Sequence, residues 1–178
     1  MKKQYTISAY TENSPGVLHR LTVTFTKRKV NIESLTVCET EREGISRFTI
    51  VVRVPEDLIG TIVKQIRRIV EVREAFASED SELVYKEIAL IRVFSENLED
   101  REKVEELAHR YGGKVVYARK DYLTVQTTGS EDEVRSLYEL LEPHGIAEFV
   151  RSGRIAMRKD VTADAAATHE HKTGARGH

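Results

Sequence analysis

The strongest constraint on the fold is a pattern of apolar residues that is spoken twice. Strand-like runs with two-residue alternation fall at Gln4–Tyr10, Glu33–Glu39, Arg47–Val54 and Val72–Ala77. Between the first two lies a stretch with helical spacing, Leu18, Leu21, Thr22 and Phe25. Ser14 is its expected N-cap, ahead of Pro15 in the first turn. Between the third and fourth runs, Pro55-Glu-Asp opens a second helix bearing Ile59, Ile62, Val63 and Ile66. The polar segment Thr40–Gly44 reads as a hairpin joining the second and third strands.

The same order then returns after about 80 residues, a βαββαβ unit of ferredoxin-like type. Ile88–Phe94 is a strand; Val104, Leu107, Ala108 and Tyr111 form a helical stripe that Gly112-Gly113 ends. Val115–Arg119 and Tyr122–Thr127 flank a tight Lys120-Asp121 turn. Val134, Leu137, Tyr138 and Leu141 make the last stripe, and Ile146–Val150 the last strand. The fold class expected is therefore α+β, two tandem ferredoxin-like domains at 4–78 and 85–159 joined by an acidic linker at 79–84. From 160 the chain loses periodicity and reads as a disordered tail. Each sheet is small and open-edged, so dimerisation by sheet extension is expected.

Charge and cysteine content remove several function classes. Lys+Arg number 28 against 29 Asp+Glu, so the net charge of −1 gives no overall pull toward nucleic acid or anionic lipid. The apolar runs are too short to span a bilayer, and Met1-Lys-Lys-Gln-Tyr is no signal-peptide start, so a cytoplasmic location is the expectation. One cysteine, Cys38, allows no internal disulfide and no CxxC site. High charge with three Asn, three Gln and two Met leans toward a thermophile. P-loop, dinucleotide and Ser–His–Asp signatures are absent, as are paired carboxylates in a recognisable cleft. An acylphosphatase-type enzyme would need an Arg in the loop after the first strand, where Thr11–Gly16 has no base. An RNA-binding sheet would need stacking aromatics that Arg47–Val52 lacks.

Two segments carry the functional signal, Glu12–Leu18 and Asn31–Val37. The first breaks a strand and opens a helix with a bare backbone turn, whose unpaired N–H groups suit a carboxylate. Two of the chain's three Asn, Asn13 and Asn31, flank this helix and offer donors and acceptors for a free amino acid. Taken singly, Gly16 is a plain turn glycine and Asn31 a plain strand-entry residue; together they favour a small-ligand site. Glu33 and His19 read as surface groups, Lys27-Arg-Lys29 and Arg67-Arg68 as solvated helix ends, and Cys38 as a small packed side chain. His169-Glu-His171 lacks a third held metal ligand, so metal sites are expected to be none. The second repeat has Phe94-Ser-Glu-Asn-Leu98 where the glycine turn stood, and its negative charge should repel a carboxylate.

With these segments placed, the chain resembles the small regulatory subunits of acetolactate synthase (acetohydroxyacid synthase). Its first half resembles an ACT domain, the amino-acid-sensing βαββαβ module. The resemblance rests on Asn13-Ser-Pro-Gly16-Val-Leu-His-Arg20, Phe25, Asn31-Ile-Glu-Ser-Leu-Thr-Val37 and Ser46-Arg-Phe-Thr-Ile50. In the second half it rests on Lys86-Glu-Ile-Ala-Leu-Ile91 and Arg151-Ser-Gly-Arg154, and overall it covers Gln4 to Lys159. It implies a chain with no catalytic site, partner to a large catalytic subunit that holds thiamine diphosphate, FAD and Mg. It implies activation of that subunit, feedback inhibition by valine, isoleucine or leucine, and a homodimer with effector at the ACT interface. Carried across, Gly16 and Val17 N–H groups meet the carboxylate, and Asn13 and Asn31 bind carboxylate and ammonium, Asn31 from the second protomer. Leu18, Leu35 and Val37 shape the apolar pocket. Millimolar to micromolar sensing asks for only about −4 to −8 kcal/mol, and regulation for about 1–3 kcal/mol of coupling. The alternative is a stand-alone tandem ACT sensor acting on another enzyme or on transcription.

Overall fold

Among the described residues, nine strands and four α-helices carry the doubled pattern. The computed structural model describes residues 1–160. The expected tail, from residue 161 onward and including His169 and His171, lies outside the described residues. The first βαββαβ set is β1 (Lys2–Glu12), α1 (Val17–Thr26), β2 (Ile32–Glu39), β3 (Ile45–Pro55), α2 (Glu56–Ile66) and β4 (Val72–Ser78). The second is β5 (Leu83–Phe94), α3 (Leu98–Arg110), β6 (Lys114–Ala118), β7 (Tyr122–Gly129), α4 (Glu131–Leu141) and β8 (Ile146–Arg151), followed by β9 (Ile155–Arg158). The α+β class and the two tandem repeats stand as expected.

The first sheet runs β2-β3-β1-β4, so β2 and β4 are its edges. Antiparallel pairing sets Ile7 opposite Ile50 and Tyr5 opposite Val52. By two-residue alternation these share a face with Ala9 and Phe48, and all are buried. Their apolar face is what Leu21, Phe25, Ile62 and Ile66 on the helices need to cover. The reverse face of β1 and β3 carries Thr6, Ser8 and Thr49, also buried but polar.

The second sheet runs β6-β7-β5-β8, with β9 also against β5. Its core joins Ile91 and Val93 on β5, Leu123 and Val125 on β7, Val104 and Ala108 on α3, and Leu137 and Leu141 on α4. Tyr111 ends α3 as its C-cap rather than continuing the buried stripe, and the Gly113 N–H bonds the Ala108 carbonyl at 2.7 Å. Helix termination by Gly112-Gly113 is thus as read, with Gly112 at φ +74°.

Two compact units result: Met1–Glu33, Val37–Val84 and the stretch from Ala156 form one, and Ser34–Thr36 with Tyr85–Ile155 form the other. This differs from the expected boundaries, because β9 was not read from the sequence and its last residues group with the first unit. The ties are specific. Arg47 donates to the Ala156 carbonyl and to Ser8 Oγ (3.3 Å). Arg158 lies 3.8 Å from the Phe76 ring centroid and donates to Ser78 Oγ at 3.2 Å. These contacts satisfy the buried hydroxyls of Ser8 and Ser78. The acidic segment read as a linker is ordered: Asp80–Glu82 forms a 3-10 turn with a Glu79/Glu82 capping box, and Lys3 bonds Glu79 at 3.3 Å.

Candidate functional site

Helix α1 begins two residues later than a Ser14 cap would have it. Its N-cap is Gly16, at φ +84° and ψ −6°, a left-handed conformation that L side chains adopt at a cost. Ser14 and Pro15 belong to the preceding turn, in which the Ser14 N–H bonds the Glu12 carbonyl at 3.0 Å. The reason is steric: the left-handed residue interrupts the helical run that Pro15 would otherwise begin. Gly16 has no side-chain cap to offer, and the first turn of α1 holds no acid. The helix start therefore keeps its partial positive charge uncompensated by its own side chains.

The stripe on α1 keeps Leu21 and Phe25 as read, with Val17 and Thr24 buried in place of Leu18 and Thr22. Val17, Leu21, Thr24 and Phe25 are the buried face, with Val17 3 % exposed. Leu18 stands outside it at 45 % exposure. Both phases fit a 3.6-residue period, and two adjacent apolar residues left the sequence undecided.

Asn13 is sewn into place from two sides. Its backbone N–H donates to the Gly44 carbonyl at 2.8 Å, tying the loop to the 40–44 hairpin. Its side-chain Nδ2 donates to Glu39 Oε1 at the end of β2. Glu39, Val37 and Leu35 share one face of β2 by alternation; Val37 is 44 % exposed and Leu35 half-buried. Asn31 is exposed and immediately precedes β2. Eight residues of extended chain separate Asn31 from Glu39, about 26 Å at 3.3 Å per residue. One chain therefore gathers Asn13, Glu39 and Val37 at one end of β2 and leaves Asn31 at the other. Asn31 and Asn13 of the same protomer are too far apart to hold one amino acid.

Two charged residues belong to this neighbourhood that the sequence reading left without a role. Arg20, one turn on from Gly16, donates to the Pro15 carbonyl at 3.4 Å and pairs with Glu71 at 2.5 Å. A Cβ on Gly16 would lie 3.1 Å from Arg20 Nη1, so the guanidinium borders the turn. Its signal was available, an Arg four residues after the turn glycine and so on the same helix face. Glu39 had no such signal, since a strand-end glutamate looks like any solvated charge. Among the described residues no group of three His, Cys, Asp or Glu is arranged to hold a metal ion. Nor is any described helix long and apolar enough to cross a membrane.

The second repeat is built differently at the equivalent place. The Asn97 side chain caps α3, accepting from the Asp100 N–H at 2.9 Å while its own amide bonds Asp100 Oδ2 at 2.6 Å. Glu99 and Asp100 occupy the first turn. In α1 no side chain caps the first turn, and the Val17 N–H reaches only the Ser14 carbonyl, at a long 3.5 Å; in α3 the side chains supply the cap.

Comparison with known proteins agrees with this division into two repeats. Residues 86–160 match the family model of the small subunit of acetolactate synthase, and residues 7–74 match that of the AHAS small subunit-like ACT domain. The acetolactate synthase small subunit of Aquifex aeolicus is 36 % identical over 160 residues, covering 90 % of this chain and 83 % of the relative. That of Bacillus subtilis is 36 % identical over 160 residues, covering 89 % of this chain and 91 % of the relative. Among solved structures, the acetolactate synthase small subunit of Thermotoga maritima superposes with a TM-score of 0.82 at 29 % identity, covering 90 % of this chain and 99 % of that one. Matched in both halves and aligned nearly end to end with such relatives, the chain belongs to the family of acetolactate synthase small subunits.

Proposed function

We propose that this chain is the regulatory subunit that activates the catalytic large subunit of acetolactate synthase and makes it responsive to a branched-chain amino acid. Valine is the effector of first choice. The chemistry of condensing 2-oxoacids, with its thiamine diphosphate, FAD and Mg, belongs in this reading to the large subunit. The observation that carries it is the α1 start: a left-handed Gly16, no capping side chain, no acid in the first turn, and Arg20 alongside. Such a turn suits the carboxylate of a zwitterion. Glu39, held by Asn13, is the acid best placed to balance an ammonium. The exposed Leu18 and Val37 are apolar surface for an isopropyl group.

The remaining amide has to come from a second copy. Strand β2 is an edge with open backbone groups. If two β2 strands pair antiparallel about a two-fold axis, the start of one lies beside the end of the other. Asn31 of each protomer then stands near Asn13 and Glu39 of its twin, and two equivalent pockets close. A ligand held by both protomers favours one relative orientation of the pair, which is what allosteric control needs.

Isothermal titration of valine, leucine and isoleucine into the purified chain tests binding. Assays of the large subunit with and without this chain, over a valine series, test activation and feedback. The expected result is saturable binding of about one effector per chain, higher activity with the chain present, and its suppression by valine. Failure of all three amino acids to bind, with no change in large-subunit activity, would defeat the proposal.

A further inference from the structure

Beside α1 lies an open groove of about 590 Å3, between that helix and the connection from α2 into β4. Val23, Arg20 and Lys27 line it from α1, and Arg68, Val70 and Glu71 from the connection. Glu71 neutralises Arg20 in the 2.5 Å pair. Lys27 and Arg68 have no acidic partner among the described residues, so the groove holds two uncompensated cations in a chain whose net charge is −1. At its rim Val70 is 89 % exposed. This exposure is imposed by the backbone: the Ile69 N–H bonds the Ile66 carbonyl and the Val72 N–H bonds the Ile69 carbonyl, each at 3.0 Å. The turn thus holds a branched apolar side chain out into water at a groove that also carries Lys27 and Arg68.

We propose that this groove docks a segment of the catalytic large subunit that carries carboxylates beside an apolar pocket. The proposal rests on the regulatory reading above and adds the place of contact. A protein segment suits the shape better than a small ligand does, because the apolar element is a protruding knob and the cations sit on open walls. Complementary charge would steer the encounter, and the knob would fill a pocket on the partner. The location also offers a route for regulation. Arg20 lines the groove and borders Gly16, so partner and effector both bear on one ten-residue helix. A small shift of α1 caused by either is felt by the other.

The test measures binding of the full chain to the purified large subunit by biolayer interferometry, using wild type, the double variant K27E/R68E and Val70→Asp. Wild type is expected to bind more weakly as salt rises from about 0.05 to 0.3 M. Both variants are expected to raise the Kd about tenfold or more, and K27E/R68E to flatten the salt dependence. Thermal melting and effector titration of each variant report that it is folded with its effector site intact, and Arg68→Lys should bind as wild type does. If wild type binds and both variants bind within about twofold of it, the groove is not the docking surface, although the regulatory reading survives. If wild type does not bind the large subunit at all, the regulatory reading fails and the docking proposal falls with it. If Val70→Asp instead changes the oligomeric state of the chain alone, the groove is a contact between copies and the proposal is overturned.

Discussion

Substituting Gly16 by alanine and by aspartate separates backbone strain from charge at the α1 start. Both side chains must adopt φ +84°, at about 1–2 kcal/mol for an L residue in the left-handed region. The new Cβ would approach Arg20 Nη1 at 3.1 Å, but that is the end of a flexible side chain and can swing away. Displacing it weakens the Arg20–Glu71 pair, whose Arg side chain is 43 % exposed, for at most about 1 kcal/mol. Either variant should then lose about 1–3 kcal/mol of stability, seen as a fall in Tm of roughly 2–10 °C. Effector binding divides them. A carboxylate fixed at the helix start and an incoming effector carboxylate about 4 Å away repel by about 4 kcal/mol at an effective dielectric of 20. Screening by water and by Arg20 reduces this to roughly 1.5–3 kcal/mol, a ten- to hundredfold weaker Kd. Gly16→Asp is therefore expected to raise the valine half-saturation for inhibition about ten- to hundredfold while leaving activation of the large subunit largely intact. Gly16→Ala should retain most of both. Calorimetric titration with valine and inhibition curves of the reconstituted enzyme give the two readouts. An unchanged half-saturation in Gly16→Asp, or equal weakening in both variants, would refute the charge argument.

Other consequences follow from single contacts. Leu137→Ala empties part of the second core and should destabilise by about 2–5 kcal/mol in urea unfolding, with effector binding kept if the pocket lies in the first repeat alone. Val37→Lys places a charge on the exposed β2 edge; if the proposed β2 pairing holds, light scattering should show a dimer for wild type and a monomer for the variant, and valine binding should fall with it. Ser130→Ala removes the α4 capping box at about 1 kcal/mol. Lys86 and the Ser130 backbone and hydroxyl hold the Glu133 carboxyl down to about 2. Because this folded-state value is depressed, the contribution is full above the ordinary carboxylate range and is lost as pH falls toward about 2. Glu133 is 63 % exposed, so the effect is modest. Glu133→Gln should flatten acid-induced melting curves between about pH 5 and 2.

The two repeats were legible because their signals are local and redundant. Alternating runs placed the eight expected strands, Pro55 and Gly112 marked helix ends, and Ile59, Ile62, Val63 and Ile66 left only one buried face for α2. Strand β9 escaped because four residues with one buried side chain give no periodicity; its place is fixed by Arg47, Phe76 and Ser78, distant in sequence. The α1 phase was ambiguous because Val17 and Leu18 are interchangeable to a pattern and only packing distinguishes them. The glycine turn and Asn13 could be found from residue type. The Asn13–Glu39 and Arg20–Glu71 partnerships could not, since nothing in a sequence pairs residues 26 and 51 positions apart.

The asymmetry between the repeats follows from how each helix meets its first-turn N–H groups. Pro55 precedes Glu56 and Asp57 at the start of α2; α3 has Asn97 with Glu99 and Asp100; α4 has the Ser130–Glu133 box with Glu131 and Asp132. Each supplies its own negative charge where the helix dipole wants it, a stabilisation of about 0.3–1 kcal/mol apiece. Only α1, among these four described helices, forgoes both the side-chain cap and the acids. The sacrifice in folding free energy is small, and it is recoverable when an external carboxylate arrives. A helix already complete gains little from such a ligand, because an anion would displace bonds of equal quality and meet like charge. On electrostatic grounds the effector site proposed above is therefore expected in the first repeat and not in the second. Grafting Asn97-Leu-Glu-Asp100 onto the α1 start should raise the protein's melting temperature and remove its response to valine, and a graft that gained stability while still responding would break the link between the two.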